Sequence, residues 1–234
     1  MSGYYGGDSC EYTAVTCGGM TFYAKPTGSI NTGPACSCST CLSSGATIYS
    51  LWTLKGPGSA PSGTTPTQWG QQQAAVAINE WFGDTDVTGA TIFFDVETNS
   101  GGWGTDTSSN QAVLEATLAY VANYGQTPGG SNGGEFDSGV YISVGSNDNK
   151  WDTYFGSSYK PSTPFVLWAA IHECLSCTDA ASQWPNYWSS KPINAGGQEV
   201  VIAQYYIGAC GGADLDYMIQ NPTNGRFSPV SYSG

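Results

Sequence analysis

The stretch Thr91-Ile92-Phe93-Phe94-Asp95-Val96-Glu97 governs how the rest of the chain is read. It starts as an apolar, β-prone run of the kind found in buried strands and ends in two carboxylates separated by one residue. Alternate residues of a strand share a face, so Asp95 and Glu97 are expected to project the same way, with Cβ atoms about 7 Å apart. A carboxylate that closes an apolar strand must be solvated by a cleft or neutralised through a shifted pKa. Both conditions suit acid/base chemistry. The competing reading is a pair that simply leaves the strand for solvent or caps the turn at 98–102.

Working outward from this strand, helical and extended patterns alternate. Upstream, Ala74, Ala75, Ile78, Trp81 and Phe82 recur at helical spacing and predict a helix over 68–82. A Pro/Gly/Ser/Thr-rich loop at 56–67 separates it from a strand at 46–53, and two earlier strands are expected at 2–7 and 20–25. Downstream, Val113, Leu114, Thr117, Leu118 and Val121 make one apolar face of a helix over 108–124, with Gly125 as its stop signal. Further strands are expected at 138–143, 164–171, 199–206 and 213–218, with a short, weakly marked helix at 147–155. Eight strands with intervening helices predict an α/β fold, a single-domain, TIM-like (β/α) barrel over residues 1–234. Its second half is expected to be irregular, because 178–197 carries little helical pattern. No internal repeat is visible.

Composition narrows the function. The 234 residues suffice for one sizeable core. The formal net charge is −12 and the sequence pI about 4.1. Nucleic acid and anionic membrane are therefore excluded as partners, since both require basic patches, and no run of about 20 apolar residues exists to span a bilayer. Only 10% of residues are charged while 13% are aromatic, with 8 Trp and 15 Tyr, a composition suited to stacking on sugar rings and equally to a large core. The eight cysteines, Cys10, Cys17, Cys36, Cys38, Cys41, Cys174, Cys177 and Cys210, form an even set that fits disulfides in an oxidising compartment. Zinc is the competing reading, because Cys36-x-Cys38-x-x-Cys41 and His172-x-Cys174-x-x-Cys177 have metal-like spacings. The compartment argument favours disulfides and a secreted protein. The start at Met1-Ser2-Gly3-Tyr4 carries no leader, which is expected to have been removed.

Several motifs, taken in order, resemble glycoside hydrolase family 25, the lysozyme-like hydrolases. Tyr5-Gly6-Gly7-Asp8-Ser9 is similar to the family's opening Gly-x-Asp-x-Ser strand, and Phe22-Tyr23-Ala24-Lys25-Pro26-Thr27-Gly28 to its second strand, with shorter gaps. Ser44-Gly45-Ala46-Thr47-Ile48-Tyr49 resembles the third. Phe94-Asp95-Val96-Glu97 matches the catalytic Asp-x-Glu strand, Ser138-Gly139-Val140-Tyr141 the next, and Leu167-Trp168-Ala169-Ala170 the Leu-Trp-x-Ala strand. Gln204-Tyr205 and Ala213-Asp214-Leu215-Asp216-Tyr217 are similar to the closing Gln-Tyr and Val-Asp-x-Asn signature. The chain departs from the pattern in the short interval from Asp8 to Lys25, in 174–197, and in Ala203, where a Trp often stands. A related group of glycoside-hydrolase-like domains shares the acidic strand and the closing Gln-Tyr.

The resemblance implies a barrel with an acidic cluster at the carboxyl ends of its strands, carried here by Asp8, Asp95, Glu97 and Asp214. It implies that Glu97 donates the proton to the glycosidic oxygen. Asp95 would orient the substrate's 2-acetamido group or stabilise positive charge as the oxocarbenium-like transition state forms. Asp8 and Asp214 would raise the Glu97 pKa by like-charge repulsion and bind sugar, Asp216 taking the place of Asp214 if the register slips. Tyr141, Trp168, His172 and Tyr205 are the expected sugar contacts, with core packing the alternative for each aromatic ring. The implied activity is cleavage of β-1,4 bonds after N-acetylmuramic acid in peptidoglycan by a monomer using no cofactor and no metal. Another amino-sugar polysaccharide as substrate, or a non-catalytic glycan-binding barrel, are the alternatives.

Overall fold

The computed structural model describes residues 4–8, 22–28, 47–85, 91–96, 101–125, 136–145, 148–170, 194–209 and 213–218. The eight cysteines, His172 and Glu97 lie outside them. Among the described residues, eight strands form the main sheet: β1 (Tyr4–Asp8), β2 (Phe22–Gly28), β3 (Thr47–Thr53), β4 (Thr91–Asp95), β5 (Asp137–Gly145), β7 (Val166–Ala170), β9 (Gln198–Ala209) and β10 (Ala213–Met218). Two-residue strands β6 (Asp148–Asn149) and β8 (Asn194–Ala195) pair antiparallel with β5 and β9.

Each strand from β1 to β9 in the main sheet lies parallel to the next. β10 then pairs antiparallel with both β9 and β1, so the succession of pairings leads back to β1 and the sheet is barrel-like. An eighth parallel strand, expected of a TIM-like barrel, is replaced by this antiparallel one. The reason is connection length. Between Ala209 and Ala213 the chain has too few residues for a crossover, which takes a dozen or more, so it can only return as a hairpin.

Helix α1 (Pro66–Thr85) joins β3 to β4, α2 (Thr107–Asn123) joins β4 to β5, and the short α3 (Lys150–Phe155) precedes β7. α1 starts two residues before the helical periodicity does, because Thr65-Pro66-Thr67-Gln68 is a capping box. The Gln68 Oε1 accepts from the Thr65 amide at 3.0 Å, the Thr65 Oγ1 accepts from the Gln68 amide at 3.3 Å, and Pro66 occupies the first turn, where no N–H is needed. α2 begins on Asp106, whose carboxylate accepts from the Ser108 and Ser109 amides at 3.1 and 3.3 Å. The two serine hydroxyls add to these bonds and hold the Asp106 pKa down at about 2.

Strand alternation builds two apolar layers. Ile92, Phe94 and Val96 pack with Ile78, Val113 and Leu118 between sheet and helices. Their neighbour Phe93 belongs to a second cluster made only of strand residues, including Tyr49, Leu51, Tyr141 and Trp168, which fills the inner face of the curved sheet. Phe93 meets Tyr49 and Trp168 edge-on, with ring centroids 5.8 and 5.3 Å apart, and Trp168 meets Tyr141 the same way at 5.2 Å. Edge-to-face pairs of this kind add about 0.5–1.5 kcal/mol beyond area burial.

Glu115 on α2 fastens the segment before β7. It accepts from the Tyr159 hydroxyl at 3.1 Å, from the Ser162 amide and hydroxyl, and from the Thr163 amide and hydroxyl, both at 2.9 Å. Partial burial pushes its pKa up, but the bonds from Ser162 and Thr163 together outweigh this and lower it. A lowered folded-state pKa stabilises the fold above the ordinary carboxyl pKa, and that contribution is lost as pH falls through the folded value. Glu115→Ala is therefore expected to cost about 1–2 kcal/mol at neutral pH, at the low end for charged hydrogen bonds because the group is mostly solvated. Urea unfolding at pH 7 and pH 3 measures it: the wild-type advantage over the variant should shrink at the lower pH, and an equal advantage at both would contradict the assignment.

Candidate active site

Asp95 is the last residue of β4 and Asp8 the last of β1, so both stand at the carboxyl end of a parallel strand. Ligands in sheets of this architecture bind at those ends. Asp95 shares its face with Phe93, two residues earlier on the strand, and is 8% exposed. In register it lies between Thr53 of β3 and Tyr141 of β5, and Tyr141 in turn lies opposite Trp168 of β7. Asp95, Tyr141 and Trp168 thus occupy one row across three neighbouring strands.

On the far side of the sheet Asp8 is the register partner of Asp214 on β10. Asp216 lies two residues deeper, opposite Gly6 of β1 and Gln204 of β9. Of the two aspartates, Asp214 is therefore the one at the carboxyl end of β1. Tyr205 falls within β9. The other two predicted site residues, Glu97 and His172, lie outside the described residues.

Of the predicted sugar contacts, Trp168 is fully buried between Phe93 and Tyr141, and Tyr141 is 7% exposed. The Tyr141 hydroxyl donates to the Gln204 Oε1 at 2.6 Å, tying the row that holds Asp95 to β9. Gln204 is 1% exposed and is a participant the sequence reading passed over in favour of Tyr205. A polar residue two positions after Ile202 in a β-run was the available signal, since by alternation it must face the same way as that apolar residue. Tyr141→Phe leaves the Gln204 oxygen without this buried donor and is expected to destabilise by about 1–2 kcal/mol. A lowered urea midpoint with an unchanged m-value would show it, and a midpoint equal to wild type would show the bond to be inconsequential.

The loops flanking Asp95 are clamped by backbone contacts. The Leu54 amide donates to the Asp95 carbonyl at 2.9 Å, the Gly56 amide to the Gly101 carbonyl, and the Gly58 amide to the Gly102 carbonyl at 2.9 Å. A Cβ at Gly58 would stand 2.8 Å from the Gly102 oxygen, so the approach depends on glycine. Buried Gln73 holds the same loop from α1, accepting from the Lys55 amide at 2.7 Å and donating to the Lys55 carbonyl at 2.8 Å. The Trp69 indole donates to the Lys55 and Gly56 carbonyls at 3.0 and 3.1 Å. Asn110, also buried, donates to the Gly104 and Tyr154 carbonyls at 2.8 and 2.9 Å and so links the loop after β4 to α3. The result is a fixed wall beside the acidic strand. Among the described residues no group of three His, Cys, Asp or Glu side chains could hold a metal ion.

No protein-family model matches the chain, and no curated relative does. Solved structures do. A muramidase from Acremonium alcalophilum superposes with a TM-score of 0.61 at 13% identity, over 95% of this chain and 97% of that one. A family GH25 lysozyme from Aspergillus fumigatus gives 0.59 at 16% identity, covering 96% and 98%. The catalytic domain of an endolysin from bacteriophage P40 of Listeria monocytogenes gives 0.52 at 12% identity, covering 94% of each. From β1 to β10, the chain has the fold of the glycoside hydrolase family 25 lysozymes and muramidases.

Proposed function

We propose that this protein is a secreted glycoside hydrolase that cleaves the β-1,4 bond after N-acetylmuramic acid in peptidoglycan. The observation that supports this most is the backbone register: Asp95 closes β4, Asp8 closes β1, and Asp214 lies beside Asp8, all in a sheet whose fold is that of muramidases. In this reading Glu97, two residues beyond Asp95, protonates the glycosidic oxygen as the bond to the leaving sugar breaks. Asp95 holds the substrate's 2-acetamido group so that its carbonyl oxygen attacks the anomeric carbon, or stabilises the positive charge that develops there. Tyr141 and Gln204 form the polar floor of the site, and Trp168, buried as it is, supports that floor while Tyr205 and His172 are left to contact sugar.

The eight cysteines support an extracellular setting. No helix among the described residues is long and apolar enough to cross a membrane. Digestion of purified peptidoglycan followed by mass spectrometry tests the proposal: the new reducing ends should be N-acetylmuramic acid. Reducing ends of N-acetylglucosamine would assign a different bond. Retention on the wall with no product at all would make the protein a glycan-binding barrel.

A further inference from the structure

A second feature of the molecule lies away from the strand ends, on the helical flank. The surface between α1 and α2 is indented by a groove of about 610 Å³, within the size range of small-ligand sites. It follows three turns of α2, from Ala112 to Asn123, or about 16 Å of helix axis, and ends on the C-cap Tyr124. Ala116 and Ala119 keep its floor low, Tyr120 and Tyr124 supply aromatic surface with centroids 6.4 Å apart, and Gln71 and Asn123 supply amides.

The charge of the lining selects among occupants. Among the described residues no lysine, arginine or histidine lines the groove, and the chain's net charge is −12, so an anionic polymer or lipid headgroup would meet repulsion without compensation from them. The one carboxylate among its described lining residues, Glu115, is engaged by Tyr159, Ser162 and Thr163, so its charge is already met from within the fold. The other described lining residues offer aromatic faces, methyl groups and neutral amides, the Asn123 Nδ2 already donating to the Ala119 carbonyl at 2.7 Å. That set matches a ligand that is uncharged, rich in hydroxyl and amide groups, and apolar on the faces of its rings. We infer that the α1–α2 groove is a second binding site for a neutral N-acetylated oligosaccharide, separate from the strand-end site.

The choice of an N-acetylated glycan rests on the function proposed above; the existence of the groove and its neutrality do not. Such a site would serve a protein of this charge. With an acidic surface facing an anionic wall, retention must come from uncharged contacts, and two weak sites on one molecule raise the effective concentration each experiences.

Calorimetric titration with the N-acetylglucosamine tetramer tests the inference on the full chain. Ala119→Trp fills the groove from a half-exposed helix position and Tyr120→Ala removes an aromatic wall. Each is expected to weaken one binding event at least tenfold, with peptidoglycan turnover in solution unchanged. Wild-type binding in Ala119→Trp, at an unaltered melting temperature, would overturn the inference. So would a single binding event abolished only by Asp95→Ala, which leaves the proposed function standing. Tetramer binding lost in Ala119→Trp from a protein that releases no product would leave the inference intact and remove the enzymatic reading. Sedimentation showing a dimer that Ala119→Trp dissociates would assign the groove to a second copy and overturn it.

Discussion

Glu97→Gln is expected to lower kcat on peptidoglycan by about 10³-fold, with KM and melting temperature close to wild type. The amide is nearly isosteric with the carboxyl group but has no proton to give, so it removes general-acid catalysis, commonly worth 10²- to 10⁴-fold, and little else. A loss confined to kcat would mean that the missing interaction exists only in the transition state. Asp95→Asn sharpens the test. If Asp95 holds the acetamido group by accepting its N–H, the asparagine oxygen still can, but without the charge that stabilises the developing oxazolinium-like cation, and a smaller loss than that of Glu97→Gln is expected. Reducing-end release measured on the same wall preparation decides both. Turnover equal to wild type in Glu97→Gln would remove that residue from the mechanism.

The acidic strand was the most legible part of the fold for a physical reason. Ile92, Phe94 and Val96 pack against helices while Phe93 packs inside the curved sheet, so both faces of β4 are apolar and the run stands out in the sequence. The same holds for β7, buried at every position. α2 was readable from Val113 to Val121 because its core face carries a regular apolar stripe, whereas its start lies one residue earlier than that stripe predicts, just after the cap Asp106. Helix ends are decided by single side chains such as Asp106 and Thr65, and periodicity does not see these.

What periodicity also cannot carry is strand direction. β10 reads like any short strand, and only the length of the link from β9 marks it as antiparallel. The buried polar residues that fix the wall beside Asp95, Gln73 and Asn110, were invisible for a related reason. On a helix they count against the apolar face, and their value lies in carbonyl groups of Lys55, Gly104 and Tyr154 that come near only when the chain is folded. Asp8 and Asp95 were legible as residues, since each ends a strand. That Asp8 stands opposite Asp214 followed only from the resemblance, because the two are brought into register by a pairing of strands from near the chain's two ends.

Gly70→Ala is expected to destabilise the fold by about 2 kcal/mol, although alanine is the better helix former. In an exposed helix the change would gain about 1 kcal/mol. Gly70, however, is where α1 and α2 touch. The Thr117 hydroxyl donates to the Gly70 carbonyl at 3.2 Å and to the Val113 carbonyl at 2.8 Å, and a Cβ on Gly70 would overlap the Val113 carbonyl oxygen while standing 3.0 Å from the Thr117 Oγ1. The obstacle is backbone rather than the end of a flexible side chain, so one helix must move. Moving it loosens the contacts of Ile78, Val113 and Leu118 with the sheet, and overpacking of this kind costs about 1–3 kcal/mol, occasionally more. The clash therefore outweighs the propensity gain. For a chain of this length 2 kcal/mol corresponds to a fall in melting temperature of about 4–8 °C. Gly104→Ala is the control, because a Cβ there meets nothing within 4 Å and the backbone needs no positive φ. A melting temperature for Gly70→Ala equal to that of Gly104→Ala would show that the helices can separate at no cost and that their contact does not hold α2 against the acidic strand.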